Sequence, residues 1–410
     1  MFVLYIFIIS SLLFGSYIIG PFSIRVYVAV LTIAFLLYKR IILKEKFHFP
    51  YSSIRIYLLF LFFTLIAKVF SGPFEIDGYL KDLLAVHLIA ITSYVAIDLL
   101  VKNREQIRII LIVLIIIGVF NSIVSILQHN ENSIGFLIGH FFSSSGAEYI
   151  SDLETRLSLA SGLELGAFSV PGIFGHGANN GGMNATLCIL SLYFIFGQEK
   201  RFWWIAIIGF TIGIVGSFVI QERSPMGLLA LFTLFAVWKY SSRELLISLC
   251  ILVCFVIFYF DLFSFFDSDK IGRFADIIEF DDERKYLIKN AFSFISHHWF
   301  LGGDYLYHQM YGMTPHNFIL HAFIYSGLFG ALTIFVLFIK IIVDAGRILI
   351  CDKIGIPAFF FGCALIIFLA NGFTHSSSLI TGDNIIWLLY ALTLRDMQLK
   401  KKTHENSLLL

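Results

Sequence analysis

Charge is what this chain has least of. Asp, Glu, Lys and Arg make up 14% of the 410 residues, against roughly 25% in an ordinary soluble domain. Apolar residues reach 58%, and the mean hydropathy is +0.86. A soluble fold of this length cannot hide that much apolar surface with so few charges to cover the rest. A disordered chain is excluded on the same composition. The 29 basic and 28 acidic residues nearly cancel, so the chain is no bulk nucleic-acid binder.

Cysteine is scarce as well. Cys188, Cys250, Cys254 and Cys363 lie in apolar runs and Cys351 in a basic connection, so no disulfide framework is expected. Cys250 and Cys254 stand one helical turn apart without a His or acid in that run, a pattern of apolar packing rather than metal binding. Chemical motifs are missing too. No Gly-Lys-Ser/Thr phosphate loop, His-Glu-x-x-His helix or Gly-x-Ser-x-Gly elbow occurs, which argues against ATP-driven work, a zinc protease and a serine hydrolase. The apolar runs carry almost no ionisable groups, Arg25 and His87 being the main exceptions. Arg25 sits near an outer end, and His87 reads as a helix-packing histidine. An ion-coupled transporter usually places acids or His at the bilayer midplane.

What is present is a series of long apolar runs. A spanning helix needs about 20 mostly apolar residues, and the unbroken runs fit helices rather than alternating barrel strands. The expectation is an all-α polytopic transmembrane bundle of about 12 spans, near 2–19, 22–39, 54–70, 83–101, 108–127, 182–197, 202–220, 224–239, 244–263, 316–342, 354–371 and 383–396. The first run has no basic residue before it and no cleavage site after it, so it reads as a retained helix. Most Lys and Arg fall on one side of this arrangement, among them Lys39, Arg40, Lys102, Arg104, Arg201, Lys239, Arg347 and Lys400. The positive-inside rule then puts both ends in the cytoplasm. Two long outer connections result, 128–181 and 264–315, within a single membrane domain, 1–410. Long polar loops on one face of a bundle are where function usually lives.

Three outer helix starts carry charge. In Gln221-Glu222-Arg223-Ser224-Pro225, Ser224 reads as an N-cap and Pro225 as the first helical residue. Arg223 then stands beside free N–H groups that attract anions, either as a phosphate fork or as a partner of Glu222. In Thr314-Pro315-His316-Asn317, His316 falls in a first turn, where it suits proton transfer. His321, deeper, reads as packing. From Asp281 to Trp299, the residues Ile288, Ala291, Phe292, Ile295 and Trp299 form an apolar stripe, with Lys285, Lys289, Ser293 and Ser296 opposite. This predicts an amphipathic helix at the outer surface. Arg284 is expected on its inward face, paired either with Asp281 or with a bound phosphate. A fourth segment, Gly172–Asn184, is rich in Gly and Asn; it reads as a turn, or as backbone that can approach a ligand.

These stretches, in this order and followed by Tyr325-Ser326-Gly327-Leu328-Phe329-Gly330, resemble the O-antigen polymerase and O-antigen ligase superfamily over roughly the last 240 residues. The first 130 residues resemble it only in span count and hydropathy. The resemblance implies a GT-C-like glycosyltransferase of the bacterial inner membrane, active on the periplasmic side without metal or other cofactor. Its partners would be undecaprenyl-pyrophosphate-linked oligosaccharide, membrane lipid and a protein that regulates chain length. It implies that Arg223 and Arg284 contact pyrophosphate and that His316 activates the acceptor hydroxyl. Asn317, His176, Asn180 and Arg156 become the candidates for further substrate contact. The family pattern has Thr or Ser where this chain has Glu222. The mixed charge of the 264–315 loop favours a polymerase of repeat units over a ligase to lipid A-core, and either over a flippase.

Overall fold

The computed structural model describes residues 1–14, 18–19, 22–45, 52–71, 76–130, 132–143, 170–174, 177–197, 200–220, 222–240, 280–312, 315, 317–350, 356–374, 379–380 and 383–407. Apart from a two-residue strand pair, β1 (Ile18–Ile19) and β2 (Phe22–Ser23), regular structure among these residues is helical. Five helices are long and apolar enough to cross a membrane, and several shorter ones are apolar. The protein is an all-α membrane protein.

Packing divides the chain into two compact units, residues 1–113 with 282–410, and residues 114–281. The first unit holds α1 (Phe2–Leu13), α2 (Ile24–Ile41), α3 (Ser52–Ser71), α4 (Ile76–Asp82) and α5 (Leu88–Leu100). One π turn, Leu83–His87, joins the last two into a continuous element. The start of α6 (Arg104–His129) also belongs here. After the second unit come α11 (Phe280–His298), α12 (Asp304–Tyr311), α13 (Phe318–Ile350), α14 (Ile356–Thr374) and α15 (Asn384–Ser407). Each helix packs on a neighbour in a continuous order: α3 on α13, α13 on α14, α14 on α15, α15 on α5, α5 on α2 and α2 on α1. The second unit holds the rest of α6, α7 (Ser133–Ser143), α8 (Gly177–Phe196), α9 (Trp203–Ile220) and α10 (Arg223–Tyr240).

Eleven of the twelve expected runs fall on these helices, while 244–263 lies outside the described residues. The first run is shorter than expected. Its helix stops at Leu13 after 12 residues, too few to cross a bilayer alone. The connection 128–181 contains α7, and 264–315 contains α11 and α12.

The interiors are less bare of charge than the sequence suggested. Asp98, Arg395 and Asp396 are all buried in the first unit. Arg395 Nε donates to Val101 O at 2.7 Å, with its guanidinium 4.0 Å from Asp98. Arg104 lies 3.5 Å from Asp396, which also accepts from the Ala358 N–H. Ends of α5, α6 and α14 are thus tied to the middle of α15 by groups drawn from distant parts of the chain. Buried charge is tolerated because it is paired. Nearer the surface, Glu45 bridges Lys39 at 3.0 Å and Lys102 at 3.1 Å. Burial alone would raise the Glu45 pKa, but hydrogen bonds from the two lysines outweigh it and hold the carboxyl below its usual range.

The second unit relies on small and amide side chains. Gly209, Gly213 and Gly216 of α9 sit against Ser191, Cys188 and Ser122, leaving no room for a Cβ. Such close approach is how membrane helices gain packing without a hydrophobic drive between them. Beside it runs a buried amide network. Asn121 Nδ2 donates to Asn180 Oδ1 at 2.8 Å, and Asn180 Nδ2 donates to Ser125 and to Val170 O. Ser122 donates to Asn184, which donates to Gly213 O and Ser217. Gln128 holds both the N–H and the C=O of Gly172.

Candidate functional site

The four resembling stretches fall two and two. In the second unit, Gly172–Asn184 meets the start of α10. The segment is a turn over 172–174, and α8 begins at Gly177. Its glycines therefore serve helix contact: Gly181 lies directly against the Glu222 side chain. Gly172, at φ +58°, is fitted against the amides of Asn121 and Asn180. Arg223 is the first residue of α10, and the Met226 N–H reaches back to Glu222 O at 3.3 Å. The helix thus starts one residue before the expected Ser224 cap, and Pro225 is buried in its first turn. Asn180 spends its whole amide inside the protein, which gives it a structural role.

In the first unit, α11 and α12 are fastened to the N-terminal third of α13. Ala291, Phe294, Tyr307, Leu320 and Ile324 form one apolar cluster. The connecting turn, 299–303, lies against a break in α13 at Gly327 (φ 63°, ψ −167°). Gly303 N–H donates to Ile324 O at 2.8 Å, and Leu328 N–H donates to Phe300 O at 3.2 Å. A Cβ on Gly302 would meet Gly327 N and Ile324 O at 2.7 Å. Two glycines with positive φ, backbone to backbone, are what this junction requires.

Asn317 caps α13. Its Oδ1 accepts from the N–H groups of Ile319 and Leu320 at 3.0 and 3.1 Å, the N-cap geometry. The helix starts at Phe318. His316, His176 and Arg156 lie outside the described residues. Arg284 occupies the second turn of α11. His321 is buried and edge-on to Tyr325, as its packing role predicts. His87 is buried with Nδ1 2.7 Å from the Tyr57 hydroxyl.

The facing of α11 departs from expectation. Its buried line is Leu287, Asn290, Ala291 and Phe294, whereas Ile288, Phe292 and Trp299 are 39%, 61% and 50% exposed. The helix has two adjacent apolar lines, and a 3.6-residue period fits both.

Beside the glycine junction lies a cavity of about 350 Å³, lined by Phe70, Ser71, His297–Gly302 and Leu306. Tyr307 lies beneath this region, edge-on to Phe294 at 5.2 Å. Burial, with smaller contributions from Tyr311 and Tyr286, pushes its phenol up to about 12. Sequence reading counted Trp299 into the packing stripe and passed over the His297-His298 pair. The signal available was the Gly302-Gly303 doublet directly after them. No family model matches the chain, and a search of curated proteins returns no match.

Proposed function

We propose that the protein is a glycosyltransferase of the inner membrane that joins undecaprenyl-pyrophosphate-linked oligosaccharide repeat units. The observation that carries this reading is the junction of α11, which bears Arg284, with the start of α13, which follows His316. A shared apolar cluster and two backbone hydrogen bonds hold them together. The helix α11 and the first turns of α13 therefore belong to one part of the first unit.

In the proposed reaction an acceptor sugar hydroxyl attacks the anomeric carbon of the donor glycan. His316 takes the hydroxyl proton. The bond from the anomeric carbon to the pyrophosphate oxygen breaks, and undecaprenyl pyrophosphate leaves with the electron pair. Arg284 holds the charge that develops on it. The reaction needs no redox partner, and the proposed active face is periplasmic with both termini in the cytoplasm.

The test is chain lengthening by purified protein supplied with lipid-linked repeat units. Arg284→Ala and His316→Ala should each abolish lengthening while the protein still inserts. Full activity in both variants would sink the assignment. In cells, loss of a polymerase leaves one repeat unit on lipopolysaccharide. Loss of a ligase leaves none and strands polymer on the carrier lipid, which would exchange this reading for the ligase one.

A further inference from the structure

We propose that the cavity beside the α11–α12 turn is a subsite for an uncharged sugar ring of the glycan chain; this rests on the glycosyltransferase reading above. Three features point to that ligand class.

The first is charge. Among the described residues, no Lys, Arg, Asp or Glu lines the cavity. Pyrophosphate seated there would have no counter-ion, and burying an uncompensated anion is costly.

The second is the polarity of the hydrogen-bonding groups. His297 Nδ1 lies 3.0 Å from the Ser293 carbonyl. Ser296 Oγ lies 3.0 Å from the same nitrogen, so Nδ1 is engaged within its own helix and Nε2 is the ring nitrogen left to meet a ligand hydroxyl, as donor or acceptor according to the tautomer. Ser71 donates its hydroxyl proton to Ala67 O at 2.5 Å, which leaves Oγ as an acceptor. A serine hydroxyl and two imidazoles among the lining residues suit a ligand rich in hydroxyls.

The third is the wall. Trp299 and Phe300 are half exposed and meet edge to face at 5.5 Å, and Phe70 at the end of α3 is 70% exposed. Aromatic faces beside hydrogen-bonding groups match the two sides of a pyranose, C–H on one and O–H on its rim. At about 350 Å³ the space is at the small end of ligand sites, roughly 300–1,000 Å³, enough for a short ring system and not for a prenyl chain. The floor is rigid, because Gly302 is locked against Gly327. That rigidity keeps the ordering cost of binding low.

The subsite would position the glycan for transfer without touching the reacting atoms, so Trp299 is a positioning residue. The experiment uses full-length protein in nanodiscs. Its probe is the oligosaccharide released by mild acid from the cell's own lipid-linked repeat units, tagged with a diazirine. Photolysis should label the peptide spanning residues 297–302, and untagged oligosaccharide should compete. In the lengthening assay, Trp299→Ala should raise KM about tenfold, the worth of one aromatic contact, with kcat within about twofold. Trp299→Tyr should restore KM, and His297→Ala should raise it less. Lengthening without labelling of 297–302, or an unchanged KM in Trp299→Ala, would overturn the subsite while leaving the proposed function standing. Labelling of 297–302 without any lengthening would do the reverse. Labelling by a photoactivatable lipid but not by the oligosaccharide would make the cavity a lipid site and overturn the proposal.

Discussion

Asn121 and Asn180 face each other with an amide-to-amide hydrogen bond of 2.8 Å, both fully buried, 59 positions apart in the chain. In water such a bond has little net worth. Here its loss also takes the Asn180 amide from Ser125 and from the Val170 carbonyl, without water to replace it. Asn180→Ala should lower unfolding free energy in detergent by about 1–3 kcal/mol, the cost of leaving buried groups unpaired. A double-mutant cycle with Asn121→Ala should recover at least about 0.6 kcal/mol of coupling. Simple additivity would show that the pair does not hold the unit together.

Three glycines should respond to alanine with different signs. Gly327 has φ +63°, and a Cβ there would strike the Phe300 carbonyl and Leu301. Gly312 has φ +73° but nothing within 4 Å. Gly312→Ala should cost only left-handed strain, about 1–2 kcal/mol, and Gly327→Ala distinctly more. Gly346 is helical with open space around it, and its alanine should stabilise by about 0.5–1 kcal/mol. Thermal melts of the three variants check the order.

Glu45 predicts an acid-side loss. Its folded pKa lies below its unfolded value, with burial opposing and the lysine hydrogen bonds prevailing. The contribution is therefore present above the unfolded pKa and fades as pH falls through the folded one. The pair is near the surface, so about 0.2–1 kcal/mol is expected. The melting temperatures of wild type and Glu45→Gln should differ at neutral pH and low salt, and converge as acid protonates the folded carboxyl. A constant difference would contradict this origin.

Tyr307 predicts the opposite window. Its phenol is pushed from 10 to about 12 by burial, then by Tyr311 and Tyr286. The neutral form is the one the fold tolerates, so its contribution holds below pH 10 and is lost as pH rises through 12. The hydroxyl is buried with no hydrogen-bond partner. Tyr307→Phe should thus be neutral or stabilising by up to about 2 kcal/mol, while Tyr307→Ala should cost about 3–5 kcal/mol. Alkaline unfolding followed by tyrosinate absorbance separates the cases.

Helices were readable wherever a run was long and apolar, as at Arg104–His129 and Phe318–Ile350. The local cap at Asn317 lay in a stretch already singled out, because capping involves neighbours in sequence. Partnership across the chain was not readable. Arg395 meets Val101 over 294 positions, and nothing in either neighbourhood announces the other. The facing of α11 was misread for a different reason. Apolar side chains turned outward look the same in sequence as apolar side chains packed on protein, so Ile288 and Leu287 were interchangeable until the core was seen. Gly181 was read as loop because glycine marks turns in water, whereas between membrane helices it marks contact.

The interruption of the first unit by the second has a consequence for synthesis. The helix α3 packs most extensively on α13, which begins about 250 residues later in the chain. At about 5–20 residues per second, α3 leaves the ribosome some 10–50 s before its partner exists. Through that interval its partner-facing surface, including Phe60 and Phe63, must be held by lipid or by the insertion machinery. Residues such as Phe60 and Tyr325 that close this gap thus set a late step of assembly, and slowing translation between 114 and 281 should prolong the exposure of α3 to protease or quality control.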